Sequence, residues 1–196
     1  MTLTEMMIEE NSNTGWTTAG LDVQFKVVKG VLFIQGSKSK EDWKHNFDTY
    51  ADVYCASDIE IKAHKGFRDM WLSIKPEIEK LEFDTIFGHS LGGALALFAH
   101  ENYHHRFGVQ PMTYAIGCPR VFYKPSWRLK ERMKNVIRIK HRFDIVTFVP
   151  LLIMGFRHVG QKRILKNTLD RPKAMGLLYY LSFHSPEQYI HNLGGR

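Results

Sequence analysis

The sequence feature that most constrains the fold is a fifteen-residue stretch, residues 83–97, that passes from an apolar strand pattern through Gly-x-Ser-x-Gly into an alanine- and leucine-rich helix pattern. A serine hydroxyl is a weak nucleophile unless a base accepts its proton and its oxygen stands clear of the backbone. A sharp strand-to-helix turn meets the second condition, and Gly88 and Gly92 leave room where a Cβ would collide with the neighbouring strand or helix. We expect Gly93 to let the helix lie close to the sheet. The stretch therefore predicts a nucleophile at Ser90.

Strand patterns alternate with helix patterns along the rest of the chain. Apolar runs rich in β-branched or aromatic residues predict strands at Val23–Val28, Val31–Gln35, 83–87, Met112–Ile116 and 136–140, the first two joined by a turn at residues 29–30. Helical spacing predicts helices at residues 64–81, 91–106 and 125–134. This alternation favours an α/β fold with a mainly parallel central sheet and helices on both faces.

The length of 196 residues and a hydrophobic fraction of 44% fit one domain spanning residues 1–196. The chain contains no proline-rich or glycine-serine linker and no internal repeat. Residues 1–15 are polar and acidic, and we expect them to form a loosely packed N-terminal segment.

Nothing in the sequence indicates export or membrane insertion. Residues 1–15 lack the basic and then apolar pattern of a signal peptide. The longest apolar runs, residues 146–156 and 175–183, are shorter than the ~20 residues of a membrane-spanning helix and are expected to form core or pocket wall. Two cysteines, Cys55 and Cys118, do not suggest a disulfide scaffold, so the cytoplasm is the default location, with export by a route other than a signal peptide left open.

The net charge of +7 favours anionic partners. The densest basic stretch, residues 128–134, contains an acidic residue and has helical spacing, which is typical of a solvated helix face. No zinc-finger spacing or aromatic ribonucleoprotein motif accompanies it, so nucleic acid is not expected as a partner. We expect peripheral contact with an anionic membrane, and the sequence leaves the oligomeric state undefined.

A serine nucleophile at such a turn is followed along the chain by an acid and then by a histidine. Asp144 is the favoured acid, because it lies just past the predicted strand at residues 136–140, and residues 141–143 lead the chain out of that strand. Asp170 is the rival, but no strand leads into it and Arg171-Pro172 follows it, as in a turn or at a helix start.

Three histidines follow Asp144 in the sequence and are candidates for the base: His158, His184 and His191. His184 follows an apolar run and precedes Ser-Pro-Glu, a pattern typical of a helix start, so its ring is placed at the edge of an element. His191 lies one to two turns into the same predicted helix, where a partly exposed histidine is common. The residues alone leave the choice of base open.

Five motifs in order resemble the class-three lipases, the fungal-lipase-like branch of the α/β-hydrolases. They are His64-Lys65-Gly66-Phe67, the turn Gly88-His89-Ser90-Leu91-Gly92-Gly93-Ala94, the segment at residues 113–121, Asp144-Ile145-Val146 with residues 155–160, and residues 184–189. The resemblance runs from about Asp22 to the C-terminus. It implies Ser90 as nucleophile, Asp144 as orienting acid, His184 as base and His158 as a structural histidine near the cleft.

The resemblance also implies an oxyanion hole. The family's oxyanion loop ends in arginine, glycine and serine or threonine, and Gln35-Gly36-Ser37 matches it with glutamine for arginine. The backbone N–H groups of Ser37 and Leu91 would then bind the developing oxyanion. A second departure is Phe122-Tyr123, where the family usually has glycine and asparagine.

Residues 38–47 occupy the position of the family's lid helix and are strongly polar, with Trp43 and Phe47 as the large apolar residues. Each large side chain contributes about 1.5–3 kcal/mol on burial, so two of them anchor a lid weakly at a lipid surface. Ester or phospholipid hydrolysis is therefore as consistent with the sequence as triglyceride hydrolysis.

Residues 100–104 read His-Glu-x-x-His, the letters of a zinc metalloprotease helix. Leu95, Leu97 and Phe98 must face the sheet from this helix, and its far end lies away from Ser90, so we expect no metal and no cofactor. The sequence predicts a serine hydrolase that cleaves carboxylic esters of lipids or related acyl esters. The alternative is a catalytically silent hydrolase-like module that binds acidic membrane surfaces.

Overall fold

The computed structural model describes residues 1–35, 50–55, 57–165 and 177–194. The strands in chain order are β1 Thr17–Ala19, β2 Val23–Val28, β3 Val31–Gln35, β4 Ala51–Tyr54, β5 Ile61–His64, β6 Thr85–His89, β7 Met112–Ile116, β8 Phe122–Tyr123, β9 Val136–His141, β10 Phe156–Arg157 and β11 Gln161–Leu165. The α-helices are α1 Leu3–Glu10, α2 Lys65–Ile78, α3 Leu91–Phe107, α4 Trp127–Arg132, α5 Leu177–Ser182 and α6 Pro186–Gly194, and two 3₁₀ turns lie at Ile145–Phe148 and Leu152–Met154. Among these helices, none has both the length and the apolar character required to cross a membrane.

Seven strands form the central sheet in the order β1-β2-β3-β6-β7-β9-β11. The five strands β3, β6, β7, β9 and β11 are parallel to one another, and β1 and β2 extend the sheet beyond β3 with antiparallel pairing. Because the carboxyl ends of parallel strands meet at one edge, the loops after β6 and β9 lie on the same side of the molecule.

Both faces of this sheet are covered. Leu32 and Ile34 of β3 face a core shared with α2 and α3, whereas Val31 and Phe33 face a second core shared with α1 and α6. Alternate residues of a strand point to opposite faces, so one apolar strand supplies both cores. The expected α/β fold with a mainly parallel sheet and helices on both faces is confirmed.

A smaller antiparallel sheet, β10-β8-β5-β4, was not expected from the sequence. Its strands have only two to four residues each, too few for an alternating pattern to show. The strand expected at residues 83–87 begins at Thr85 and extends to His89, because Thr85 is the first residue that pairs with β3.

The structure corrects the expectation of a loosely packed segment at residues 1–15. Helix α1 begins with a capping box between Thr2 and Glu5, and Met6 and Met7 are buried in the second core. The Nζ of Lys26 lies 2.5 Å from Oε1 of Glu9 and ties the helix to β2. The sequence did not predict this packing, because residues 1–15 are mostly polar and only one narrow face of α1 is apolar.

The apolar run at residues 146–156 also differs from the expected core or pocket wall. Val146 and Phe156 are buried, but Leu151, Leu152 and Ile153 between them are exposed. An apolar run does not by itself show which of its residues have neighbours to pack against.

Candidate active site

Ser90 lies in the turn between β6 and α3, with backbone angles of φ 56° and ψ −121°. Residues other than glycine rarely adopt a positive φ. The backbone N–H of Ser90 donates a hydrogen bond to the carbonyl of Ile116 at 2.8 Å, and this contact holds the turn in place. A Cβ on Gly88 would collide with the backbone of Gly92, and a Cβ on Gly92 would collide with the carbonyl of Ile34. The two glycines therefore allow α3 to start directly against the sheet, as the sequence motif predicts.

The structure brings Ser90, His184 and Asp144 together. The Nε2 of His184 lies 2.6 Å from Oγ of Ser90. The Nδ1 of the same ring lies 2.9 Å from Oδ2 and 3.1 Å from Oδ1 of Asp144. Because a carboxylate accepts hydrogen bonds, Nδ1 carries the proton in the neutral ring and Nε2 presents its lone pair to the serine hydroxyl.

Asp144 is completely buried, and hydrogen bonds surround its carboxylate. Besides His184, the N–H of Val146 donates to Oδ1 at 3.0 Å and the hydroxyl of Tyr189 donates to Oδ2 at 2.6 Å. A buried carboxylate is tolerated when donors replace its lost hydration. These donors also fix the carboxylate plane and hence the direction in which it meets His184.

Tyr189 is the contributor to this site that sequence reasoning missed. It lies in α6 as the last residue of the motif at residues 184–189, which predicted no role for it, and its side chain is fully buried. Burial and the adjacent charge of Asp144 raise the pKa of its phenol well above the ordinary value, so the hydroxyl keeps its proton and acts as a donor. The backbone N–H of His141 donates to the same oxygen at 3.2 Å. The sequence shows only a tyrosine one to two helical turns after His184. This spacing does not reveal a contact with Asp144 until the position of α6 is known.

His89, next to the nucleophile, contacts His184 from the side. Its Nε2–H donates to the backbone carbonyl of His184 at 2.9 Å, and the two rings stack with centroids 4.9 Å apart. Burial, together with the neighbouring His184, lowers the pKa of His89 to about 3, so the ring stays neutral. It supports the position of His184 and is not oriented toward the hydroxyl of Ser90.

The other two histidines do not reach Ser90. The Nε2–H of His158 donates to the carbonyl of Thr147 at 2.8 Å, in the turn that follows Asp144. Burial, with the neighbouring Arg138, lowers the pKa of His158 to about 3. His191 is exposed on α6.

Gly117, at the end of β7, faces the contact between acid and base. Its φ is 56°, and a Cβ there would lie 3.0 Å from Cε1 of His184 and 3.1 Å from Oδ2 of Asp144. A side chain at this position would therefore press on the hydrogen bond between the two groups.

Leu91 is the first residue of α3, and the first N–H groups of a helix have no partner within it. Its N–H adjoins Ser90 at the positive end of the helix dipole, where a developing negative charge is stabilised. Ser37, the other predicted oxyanion donor, residues 38–47 and Asp170 lie outside the described residues.

The His-Glu-x-x-His letters do not form a metal-binding face. Nδ1 of His100 accepts from the hydroxyl of Thr113 at 2.8 Å, and its Nε2–H donates to the carbonyl of Arg132 at 2.7 Å. Glu101 is buried and pairs with Arg132 at 2.7 Å. Both ring nitrogens of His100 are therefore engaged in packing α3 against its neighbours.

Proteins of known function that are similar to this chain include a lipase. The chain is 28% identical over 173 residues to a lipase from Rhizomucor miehei, in an alignment that covers 75% of this chain and 46% of that protein. The chain thus spans about half the length of this curated relative.

Solved fungal lipases have the same fold. Lipase II from Rhizopus niveus superposes with a TM-score of 0.67 at 23% identity, covering 78% of this chain and 66% of that one. The triacylglyceride lipase of Rhizomucor miehei superposes with a TM-score of 0.64 at 22% identity, covering 79% and 66%. The family model for class 3 lipases matches residues 31–154, which include Ser90 and Asp144. The resemblance inferred from the motifs is confirmed, and the chain belongs to the class 3 lipase family.

Proposed function

We propose that this chain is a serine hydrolase that cleaves carboxylic esters of lipids or related acyl esters through an acyl-enzyme. The observation that carries the proposal is the continuous hydrogen-bonded path from Oγ of Ser90 through His184 to Asp144. The similar proteins from Rhizomucor miehei and Rhizopus niveus are described as lipases, and the solved structure from Rhizomucor miehei is described as a triacylglyceride lipase. Membership in the class 3 lipase family supports the same chemistry.

In the proposed reaction, Nε2 of His184 takes the proton of Ser90 as Oγ attacks the ester carbonyl. Asp144 keeps the imidazole in the required tautomer and stabilises the imidazolium that forms. The carbonyl oxygen gains negative charge, and we assign its stabilisation to the N–H groups of Leu91 and Ser37. His184 then gives its proton to the leaving alcohol, and water hydrolyses the acyl-enzyme by the same route.

We further propose that the substrate is presented at an anionic lipid surface. The net charge of +7 and the polar residues 38–47 support ester or phospholipid hydrolysis at least as well as triglyceride hydrolysis. No cofactor or metal has a place in this mechanism.

A fluorophosphonate probe tests the proposal directly, because it reacts only with a serine that its own site activates. We expect labelling of the native protein and loss of labelling in Ser90→Ala. Hydrolysis of a soluble nitrophenyl ester should fall by about four to six orders of magnitude in the same variant. Ser182→Ala, the same change at an exposed serine, is the matched control and should remain labelled and active.

Two outcomes would contradict the proposal. A native protein that is folded but neither labelled nor active would support the silent membrane-binding module instead. Activity that survives in Ser90→Ala and disappears with a chelator would point to metal-dependent hydrolysis.

A further inference from the structure

An exposed apolar loop protrudes at residues 148–153, immediately after the turn that carries Asp144. Four large apolar side chains in it are exposed, and Ile153 at the tip is 92% exposed. The others are Phe148, Leu151 and Leu152. Scattered apolar residues on a protein surface are ordinary, but four within six residues of one protruding loop form a patch that needs a partner.

Five of the six backbone carbonyls at residues 148–153 accept hydrogen bonds from other groups of the protein. Arg120 donates from Nη1 to the carbonyls of Phe148 and Pro150, the latter at 2.6 Å. Arg157 donates to the carbonyl of Leu152 at 2.6 Å, and the N–H of Gly155 donates to the same carbonyl at 3.0 Å. Backbone groups that already have partners can enter an apolar medium without the large cost of losing water.

Exposed cations flank the apolar loop. The N–H of Lys124 donates to the carbonyl of Gly155, at the end of the loop, and Arg157 holds the loop from its other side. Arg142 is exposed just before Asp144. Within the part of the chain that the structure describes, none of these three cations forms an ion pair with an acidic residue.

Along the sequence, the positive charge is concentrated in the segment that includes the apolar loop. Residues 118–165 contain twelve Lys and Arg and only two acidic residues, whereas the rest of the chain contains fifteen Lys and Arg and eighteen acidic residues. Within that segment Arg120, Arg138 and Lys140 are buried, and Arg132 and Lys134 pair with acidic residues. The exposed cations near the loop, and not all twelve, are therefore available to contact a membrane.

We propose that the apolar loop inserts into the surface of an anionic phospholipid membrane while Lys124, Arg142 and Arg157 contact the lipid phosphates. A second copy of the chain fits this face poorly, because a symmetric contact would bring the same cations together. The loop follows β9 and Ser90 follows β6, so insertion turns the candidate active site toward the lipid. The inference that lipid is delivered to Ser90 rests on the proposed function as an ester hydrolase. The inference that the loop contacts a membrane does not depend on that function.

Vesicle binding tests this proposal in a Ser90→Ala background, which prevents hydrolysis of the lipid during the measurement. Co-sedimentation is compared between phosphatidylcholine vesicles and vesicles that also contain phosphatidylglycerol. We expect Leu152→Asp combined with Ile153→Asp to weaken binding to the anionic vesicles by tenfold or more. Leu21→Asp combined with Val109→Asp introduces the same charges at residues 54% and 56% exposed elsewhere, and should weaken binding less than threefold.

A second pair of variants separates charge from insertion. Lys124→Gln combined with Arg142→Gln should reduce the preference for anionic over neutral vesicles and should weaken the dependence of binding on salt. In the protein that retains Ser90, hydrolysis of a soluble short-chain ester should be the same for native chain and loop variant, since neither Leu152 nor Ile153 belongs to the catalytic groups.

Equal vesicle binding by the native chain and the loop variant would overturn the proposal. So would a native protein that self-associates in light scattering and becomes monomeric on Ile153→Asp, because the patch would then belong to an interface between copies. Loop-dependent vesicle binding by a protein that hydrolyses no ester would contradict the proposed function and leave the membrane contact standing.

Discussion

The hydroxyl of Tyr189 donates a 2.6 Å hydrogen bond to Oδ2 of Asp144, the carboxylate oxygen that also meets Nδ1 of His184 at 2.9 Å. One oxygen of the acid is therefore shared between the proposed base and a tyrosine one to two turns further along the chain. The phenol keeps its proton because burial raises its pKa well above the ordinary value.

We expect Tyr189→Phe to lower kcat by about tenfold with little change in KM. Loss of one hydrogen bond to a buried charged group costs about 1.5–3 kcal/mol, part of which stabilises the fold and not the reaction. Steady-state hydrolysis of a soluble ester provides the measurement. Tyr180→Phe on α5, the same change at a half-buried tyrosine, is the control, and equal kcat values for both variants would exclude a positioning role for Tyr189.

A methyl group at residue 117 should damage the site more than the fold. Gly117 and Gly108 both have left-handed backbone angles, φ 56° and φ 71°, but a Cβ on Gly117 meets His184 and Asp144 while a Cβ on Gly108 meets nothing within 4 Å. Each Gly→Ala change should cost about 1–2 kcal/mol in unfolding free energy from backbone strain.

Only Gly117→Ala should lower kcat, by tenfold or more, because displacement of a catalytic group by a fraction of an ångström is costly. Urea denaturation and ester turnover, measured on both variants, separate the two effects. Full activity in Gly117→Ala would show that the contact between acid and base tolerates the added methyl group.

Glu10 should make the protein less stable as the pH rises. It is 2% exposed at the end of α1, and burial raises its pKa from 4.5 to about 8, an effect that Gln35 and Lys26 only partly offset. The folded state holds this proton where the unfolded state has released it. The contribution of Glu10 to stability is therefore complete below pH 4.5 and is lost as the pH rises through about 8.

We expect Glu10→Gln to flatten this decline, which amounts to at most about 1.4 kcal/mol per pH unit. Unfolding free energies at several pH values between 4.5 and 9 give the slope. Glu82→Gln, at an exposed glutamate, should follow the native curve. Parallel curves for native protein and Glu10→Gln would mean that Glu10 ionises normally in the fold.

His158 should act in the opposite direction, at acid pH. Its pKa is lowered from 6.5 to about 3, so the unfolded state takes up a proton that the folded state refuses. The associated stability is present above pH 6.5 and is lost as the pH falls toward 3. His158→Gln can keep the donor to Thr147 without the titrating ring, and should reduce the slope of stability against pH in that window. His191→Gln on the exposed face of α6 is the control. An equal slope of unfolding free energy against pH in both variants would show that His158 is not the source of this pH dependence.

The local elements were predictable because their signals are local. The spacing of glycines around Ser90 requires a sharp turn whatever the rest of the chain does, and the structure has β6, the turn and α3 in that order. The continuous apolar run of β3 indicates a strand buried on both faces, and this signal is local for the same reason. Neighbours along the chain decide both features.

The small sheet, the packing of α1 and the exposure of the apolar loop were not predictable in this way. Strands of two to four residues have no measurable period, and Met6 and Met7 in a polar segment give no sign of the β-sheet residues that cover them. An apolar run such as residues 146–156 shows hydrophobicity but not the presence of a partner.

The sequence by itself determined the position of Ser90, its turn and the alternation of strands and helices, because short-range sterics and periodicity fix these. Only the tertiary structure decided that His184, and not His158 or His191, lies 2.6 Å from Ser90, a contact between residues 94 positions apart. It also decided that Tyr189 completes the surroundings of Asp144. Such contacts depend on how the helices after the sheet fold back over its edge, and no pattern within a single segment contains that information.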